Sequence, residues 1–252
     1  MKYRNLLVFF VIVLFVISCE SSNEPIDEID ESLPSISIEW NEDNSIVCLG
    51  TSITNGKTFR FIDVIISPPA TPTLAIADSA YPTLLAEELK IDVHNYGVWG
   101  AFAKEGITRF HEGVLDKNPC FILLEFGANE FLRDYDVDIA RSDIESQIRI
   151  VINHDIKIAL LSFVHPDMLY NTSADNPLSA KAYLAMKYYE MLKNLADEHD
   201  IPFINHIYKD IWGNENLMMS DGLHPNNKGN VLLKKNVFNA LYKTFEKNGM
   251  LK

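Results

Sequence analysis

Apolar residues fall in five short runs, at 45–49, 91–95, 120–126, 156–164 and 202–205. They are rich in Ile, Val, Leu and Phe, and end in Gly, Asn, His or Pro. Continuous rather than alternating hydrophobicity is the mark of strands covered on both faces, as in a parallel sheet. Between and after the runs the pattern changes to a helical period over Tyr81–Leu89, about Phe102–Asp116, Asp138–Asn153, Ser179–His199 and Asn227–Lys247. In the fourth of these stretches Ala182, Met186, Tyr189 and Lys193 keep the helical spacing, and Tyr188 and Leu192 add a second row to the expected buried stripe. Strand and helix alternating five times predict an α/β fold, a three-layer α/β/α sandwich around a five-stranded parallel sheet with right-handed crossovers. In such sheets functional residues gather beyond the carboxyl ends of the strands.

The first nineteen residues follow a different rule. Lys2 and Arg4 precede an apolar run from Leu6 to Ile17, too short to span a bilayer and of the length of a signal-peptide core. Val16-Ile17-Ser18-Cys19 resembles a bacterial lipobox, whose cysteine is lipidated and becomes the mature N-terminus; the plainer alternative is a cleaved secretory signal with an incidental cysteine. The acidic stretch after Cys19 reads as a flexible tether and is similar to the surface-export signal of Bacteroidetes lipoproteins. The expected organisation is a signal peptide over 1–18, a lipidated tether over 19–36 and one domain over 37–252. The expected location is extracytoplasmic, anchored by lipid to a bacterial membrane on its periplasmic face or at the cell surface. Loss of residues 1–18 removes two cations and no acids, which takes the net charge from −13 to −15. Such a surface repels the phosphate backbone and argues against nucleic acid.

Cys48 and Cys120 both lie in strand-like runs. If the two strands align at Gly50 and Gly127, the thiols are offset by five residues, roughly 16 Å, beyond disulfide reach. Both are expected to be buried free thiols, neither a nucleophile.

Strand-end residues supply the chemistry. Run one ends at Gly50-Thr51-Ser52, run two at Asn95-Tyr96-Gly97-Val98-Trp99-Gly100, and run three at Gly127-Ala128-Asn129-Glu130. A serine hydroxyl needs a base to take its proton, and the oxyanion of acyl transfer needs preset donors. Ser52 offers the hydroxyl and its own N–H, Gly100 a second N–H and Asn129 a side-chain amide. His224, with Asp221 three residues earlier, offers a base and the carboxylate that orients it. Gly-x-Ser-x-Gly, the elbow of α/β-hydrolases, is absent from the chain.

These four blocks, in this order, resemble the SGNH hydrolases of the GDSL esterase and lipase superfamily. Tyr81-Pro82-x-x-Leu85-Ala86-x-x-Leu89 and Phe131-Leu132-Arg133 are further similar to the branch that holds bacterial thioesterases, lysophospholipases and arylesterases. The resemblance implies a flavodoxin-like fold. It also implies a Ser52, Asp221 and His224 triad, an oxyanion hole of Ser52, Gly100 and Asn129, and no metal or organic cofactor. Thr51 and Glu130 stand where the family usually has aspartate, and Lys57–Ala80 is longer than the usual link.

The expected activity is hydrolysis of an O-acyl ester through an acyl-Ser52 intermediate, on a carbohydrate O-acetyl ester in view of the export signal. Lysophospholipid, thioester or aryl-ester hydrolysis is the alternative within the same chemistry, and a non-catalytic glycan-binding lipoprotein the alternative outside it. Trp99, Phe102 and His165 are candidates to line the substrate site, against the plainer readings of core or loop residues. The remaining histidines lack metal-ligand spacing. No oligomeric state is implied.

Overall fold

The structure is a computed structural model that describes residues 33–56, 80–164 and 181–251. Five strands, β1 (Ser45–Gly50), β2 (Val93–Gly97), β3 (Pro119–Glu125), β4 (Lys157–Leu161) and β5 (Phe203–Ile204), form one sheet in the order β2-β1-β3-β4-β5, every pair parallel. The helices are α1 (Ser52–Asn55), α2 (Tyr81–Leu89), α3 (Ala103–Arg109), α4 (Ala128–Leu132), α5 (Val137–Asn153), α6 (Ala182–His199) and α7 (Asn227–Lys247).

The strand order explains the layers. The chain leaves β1 toward one edge and thereafter steps toward the other, so right-handed crossovers put α2 on one face and α3, α5 and α6 on the opposite face. The packing agrees: α2 lies against α7, while α3 packs on α5 and α5 on α6. A segment from Leu33 runs along α7, where Leu33 N–H donates to Ala240 O and Ile36 N–H to Thr244 Oγ1. The switch point of this topology falls between β1 and β3, whose exits turn to opposite faces; that is the crevice where α/β sheets bind ligands.

Central strands are dry on both sides. Ile46, Val47, Cys48, Leu49 and Phe121–Leu124 have no exposed surface, and each such Leu, Ile or Phe side chain contributes about 1.5–3 kcal/mol of burial. Side-chain caps set two helix starts: Asp136 accepts from Asp138 N–H at α5, and Asn226 from Lys228 and Gly229 N–H at α7.

Several sequence expectations change in detail. The stretch 102–116 is not one helix: α3 stops at Arg109, widens into a π turn over Phe110–Val114 and tightens into a 3-10 turn over Leu115–Lys117. The buried face of α6 is carried by Ala185, Tyr188, Met191, Leu192, Leu195 and Ala196. Met186 is 40% exposed and Lys193 faces solvent, so the true stripe lies one row round from the expected one. Gly50 pairs with Glu125 rather than Gly127, because β3 ends two residues before that glycine. Cys48 therefore lies beside Leu123, three residues from Cys120, or roughly 10 Å along the strand; both thiols are free, and Cys120 is only partly buried. Cys19, His165 and all of Lys57–Ala80 except Ala80 lie outside the described residues.

Candidate active site

Local backbone chemistry places Ser52 first. β1 stops at Gly50, Thr51 serves as the N-cap of α1 with its hydroxyl accepting from Ile53 N–H, and Ser52 is the first helical residue. Beneath this turn lies a residue the sequence reading did not single out. Glu125, at the end of β3 and without exposed surface, accepts from Thr51 N–H at 3.0 Å, from the Thr51 hydroxyl at 2.7 Å and from the Thr54 hydroxyl at 3.0 Å. Burial pushes its carboxyl up to about 7, against the pull of those donors. Thr51 thus does not leave the serine loop unheld: its hydroxyl proton goes to Glu125 while its lone pair caps α1. Because Glu125 reads as one more position in an apolar run, only the register of β3 against β1 reveals it.

Ser52 Oγ lies 2.8 Å from His224 Nε2, and His224 Nδ1 lies 2.7 Å from Asp221 Oδ2. The carboxylate at Nδ1 assigns the ring proton there, which leaves Nε2 a lone pair for the Ser52 hydroxyl. Asp221 Oδ1 also accepts from Leu223 and His224 N–H. Partial burial opposes the Asp221 charge, but these two amides and the imidazole outweigh it and hold the carboxyl below its ordinary value. The loop itself is pinned by Met219 N–H to His224 O, by the Met218–Pro225 bridge and by the Tyr208 hydroxyl on Leu223 O. The three residues expected to act together therefore do stand together, across 172 positions of sequence.

Gly100 and Asn129 follow the ends of β2 and β3. Gly100 has φ +75 with open space where a side chain would begin. Asn129 follows Gly127, whose φ of 106 starts α4. Two hydrogen bonds staple these ends: Asn129 Nδ2 donates to Ala101 O at 2.9 Å, and Ala103 N–H donates to Glu130 Oε1. Glu130 reaches the first amide of α3, so its extra methylene relative to aspartate has a use. Arg109 ties the same region to β1, donating to Gly50 O and Tyr96 O.

Ser52, Gly100, Asn129 and His224 all line one cavity of about 280 Å³. Its other walls are mostly apolar, with Ile53, Phe131, Leu132, Phe163, Val164 and Leu223 among them. Trp99 stands at this cavity, half-exposed; Phe102 does not line it and instead stacks on Tyr135 at 5.0 Å. Among the described residues no group of three or more His, Cys, Asp or Glu side chains is placed to hold a metal ion.

Residues 48–232 match the GDSL-like lipase/acylhydrolase family, about three quarters of the chain. The chain belongs to that family. By class it is a carboxylic ester hydrolase. It is 22% identical over 153 residues to an arylesterase of Vibrio mimicus, covering 59% of this chain and 71% of the relative. It is 25% identical over 156 residues to thioesterase 1/protease 1/lysophospholipase L1 of Escherichia coli K12, covering 60% of this chain and 68% of the relative. Solved structures share the fold at lower identity. The psychrotrophic esterase EstA of Pseudoalteromonas sp. superposes with a TM-score of 0.62 at 18% identity, over 81% of this chain and 99% of that one. An acetyl xylan esterase, AlAXEase, gives 0.59 at 18% identity, over 77% and 98%. The four blocks around Ser52, Gly100, Asn129 and His224 sit at the carboxyl edge of β1, β2 and β3 and in the loop before α7.

Proposed function

We propose that the chain hydrolyses esters through an acyl-Ser52 intermediate, with Asp221, His224, Gly100 and Asn129 in the roles their geometry suits. The 2.8 Å contact between Ser52 Oγ and His224 Nε2 carries this reading, since a merely structural loop has no need of a hydroxyl against an oriented imidazole. His224 takes the hydroxyl proton as Oγ bonds to the ester carbonyl carbon. The carbonyl oxygen becomes an alkoxide held by the Ser52 and Gly100 amides and Asn129 Nδ2. Collapse breaks the ester C–O bond, and His224 returns the proton to the leaving alcohol. Water then loses a proton to His224 and attacks the acyl carbon; collapse breaks the bond to Oγ, His224 returns the proton to Ser52, and the acid is released.

For the substrate, the apolar cavity beside Ser52 supports an aliphatic acyl or aromatic group larger than acetyl. Its volume of about 280 Å³ lies just under the lower end of small-ligand pockets, roughly 300 Å³, and few of its walls offer hydrogen bonds. A carbohydrate O-acetyl ester is the second reading, favoured by the half-exposed aromatic Trp99 at the cavity. A series of p-nitrophenyl esters from acetate to palmitate, run beside Ser52→Ala, tests both levels. Activity in the wild type that Ser52→Ala loses, with kcat/KM rising from acetate toward butyrate or longer, is the expected result. Equal rates for the two proteins would sink the serine mechanism; a maximum at acetate would favour the sugar deacetylase. The same proposal places the enzyme outside the cytoplasm on a lipid attached to Cys19, so Cys19→Ala should move it from the membrane fraction to the soluble one.

A further inference from the structure

Arg133 has no part in the triad or among the three oxyanion donors, yet it touches one of them. Its Nη1 donates to Asn129 Oδ1 at 2.9 Å and to Asn129 O at 3.2 Å. The guanidinium lies over the Phe102 ring, 4.8 Å from its centroid, and that ring stacks in turn on Tyr135. Arg133 also lines the cavity that holds Ser52, and among the described residues no carboxylate forms an ion pair with it.

The two ends of the Asn129 amide are thereby distinguished. Oδ1 faces a donor that cannot lose its proton, and Nδ2 faces an acceptor, Ala101 O. A flipped amide would set two donors together at Arg133 and two acceptors together at Ala101, leaving both groups unsatisfied in a site where Asn129 is 7% exposed. One Nδ2 hydrogen is used on Ala101 O; among the described residues no acceptor takes the second, and Asn129 lines the cavity. A cation on the amide oxygen also draws electron density from the nitrogen, which makes that remaining N–H a stronger donor, and charge-assisted hydrogen bonds are about twice as strong as neutral ones.

We propose that Arg133 is a positioning residue for ester hydrolysis: held on Phe102, it locks and polarises the Asn129 amide so that Nδ2 meets the oxyanion. The proposal rests on the reading of Asn129 as an oxyanion donor, and the experiment separates the two. Steady-state kinetics on p-nitrophenyl butyrate are measured for wild type, Arg133→Met, Arg133→Lys, Asn129→Ala and the Asn129→Ala/Arg133→Met double variant. Loss of an oxyanion donor costs about 10²–10³ in kcat, so Asn129→Ala should fall by that much. Arg133→Met keeps an apolar stem on Phe102 and should lose about tenfold or more in kcat with KM changed by less than about threefold, because only the transition state carries the negative charge. Arg133→Lys, which retains the charge on a shorter reach, should recover part of the loss. In the Asn129→Ala background Arg133→Met should cost about twofold or less, since its route of action is gone.

Full kcat in Asn129→Ala would overturn the donor assignment and the proposal with it. A normal Asn129→Ala defect with an unimpaired Arg133→Met, or with losses that multiply in the double variant, would overturn the role of Arg133 alone. So would a defect confined to KM for negatively charged esters, which would make the guanidinium a substrate-binding group.

Discussion

Replacing Glu125 by Gln removes a buried charge from under the nucleophile without changing the shape of the group. In the folded protein burial raises this carboxyl from an ordinary 4.5 to about 7, and the shift corresponds to roughly 3 kcal/mol favouring the protonated form. The sign follows from proton binding. Between these two values the native state holds more protons on Glu125 than the unfolded chain does, so stability falls as pH rises through the window. From pH 5 to pH 8 this group alone should cost the wild type about 2–3 kcal/mol, a cost absent from Glu125→Gln. Urea denaturation followed by circular dichroism at pH 5, 6, 7 and 8 reads it directly. The two proteins should be close in stability at pH 5, with Glu125→Gln the more stable by about 2–3 kcal/mol at pH 8. Esterase activity should move the other way, by about tenfold, because the amide offers a weaker grip on the Thr51 N–H and the two threonine hydroxyls that set the Ser52 turn. A stability difference that is the same at every pH would refute the argument, since it would mean that the Glu125 proton is held equally in both states.

Asp221→Asn should leave the loop folded and lower kcat by about 10³–10⁴, because an amide at His224 Nδ1 no longer fixes the tautomer that leaves Nε2 basic; a loss of less than tenfold in a burst-free assay would count against the triad geometry. Gly50→Ala should lower the thermal midpoint by roughly 6–12 °C, about 3 kcal/mol in a domain of this size, since a Cβ there would lie less than 3.0 Å from Thr54 Oγ1, Glu125 O and Glu125 Oε2. Gly100→Ala meets open space and bears only the cost of φ +75, about 1 kcal/mol, so calorimetry on the pair should show a clear difference between them.

Much was written in one dimension. Continuous apolar runs fix a two-sided parallel sheet because burial on both faces leaves no room for alternation, and the limits of α2 and α7 follow from Pro82 near one helix start and Asn226 at the other. Ser52, Gly100 and Asn129 could be picked out as small or polar residues at the ends of such runs, and Asp221 and His224 by their Asp-x-x-His spacing. Those signals are local, and so they survive in the sequence.

Tertiary structure decided what depends on register and on which face a side chain meets. Glu125 is one more position of the run 120–126 until the pairing of β3 with β1 sets it opposite Gly50, under Thr51 and Thr54. Arg133 belongs in sequence to a stretch that resembles the family branch and has no role there until the end of α4 turns it back onto Asn129 and Phe102. Phe102, a candidate to line the substrate site, lies beneath that guanidinium, while Phe163 and Val164, which carry no motif, join Phe131 in the walls of the cavity. The motif names the groups that can do acyl transfer because their chemistry is intrinsic to the residue type. The groups that hold them in place, and the volume they enclose, are relations between distant segments, and those exist only once the chain is folded.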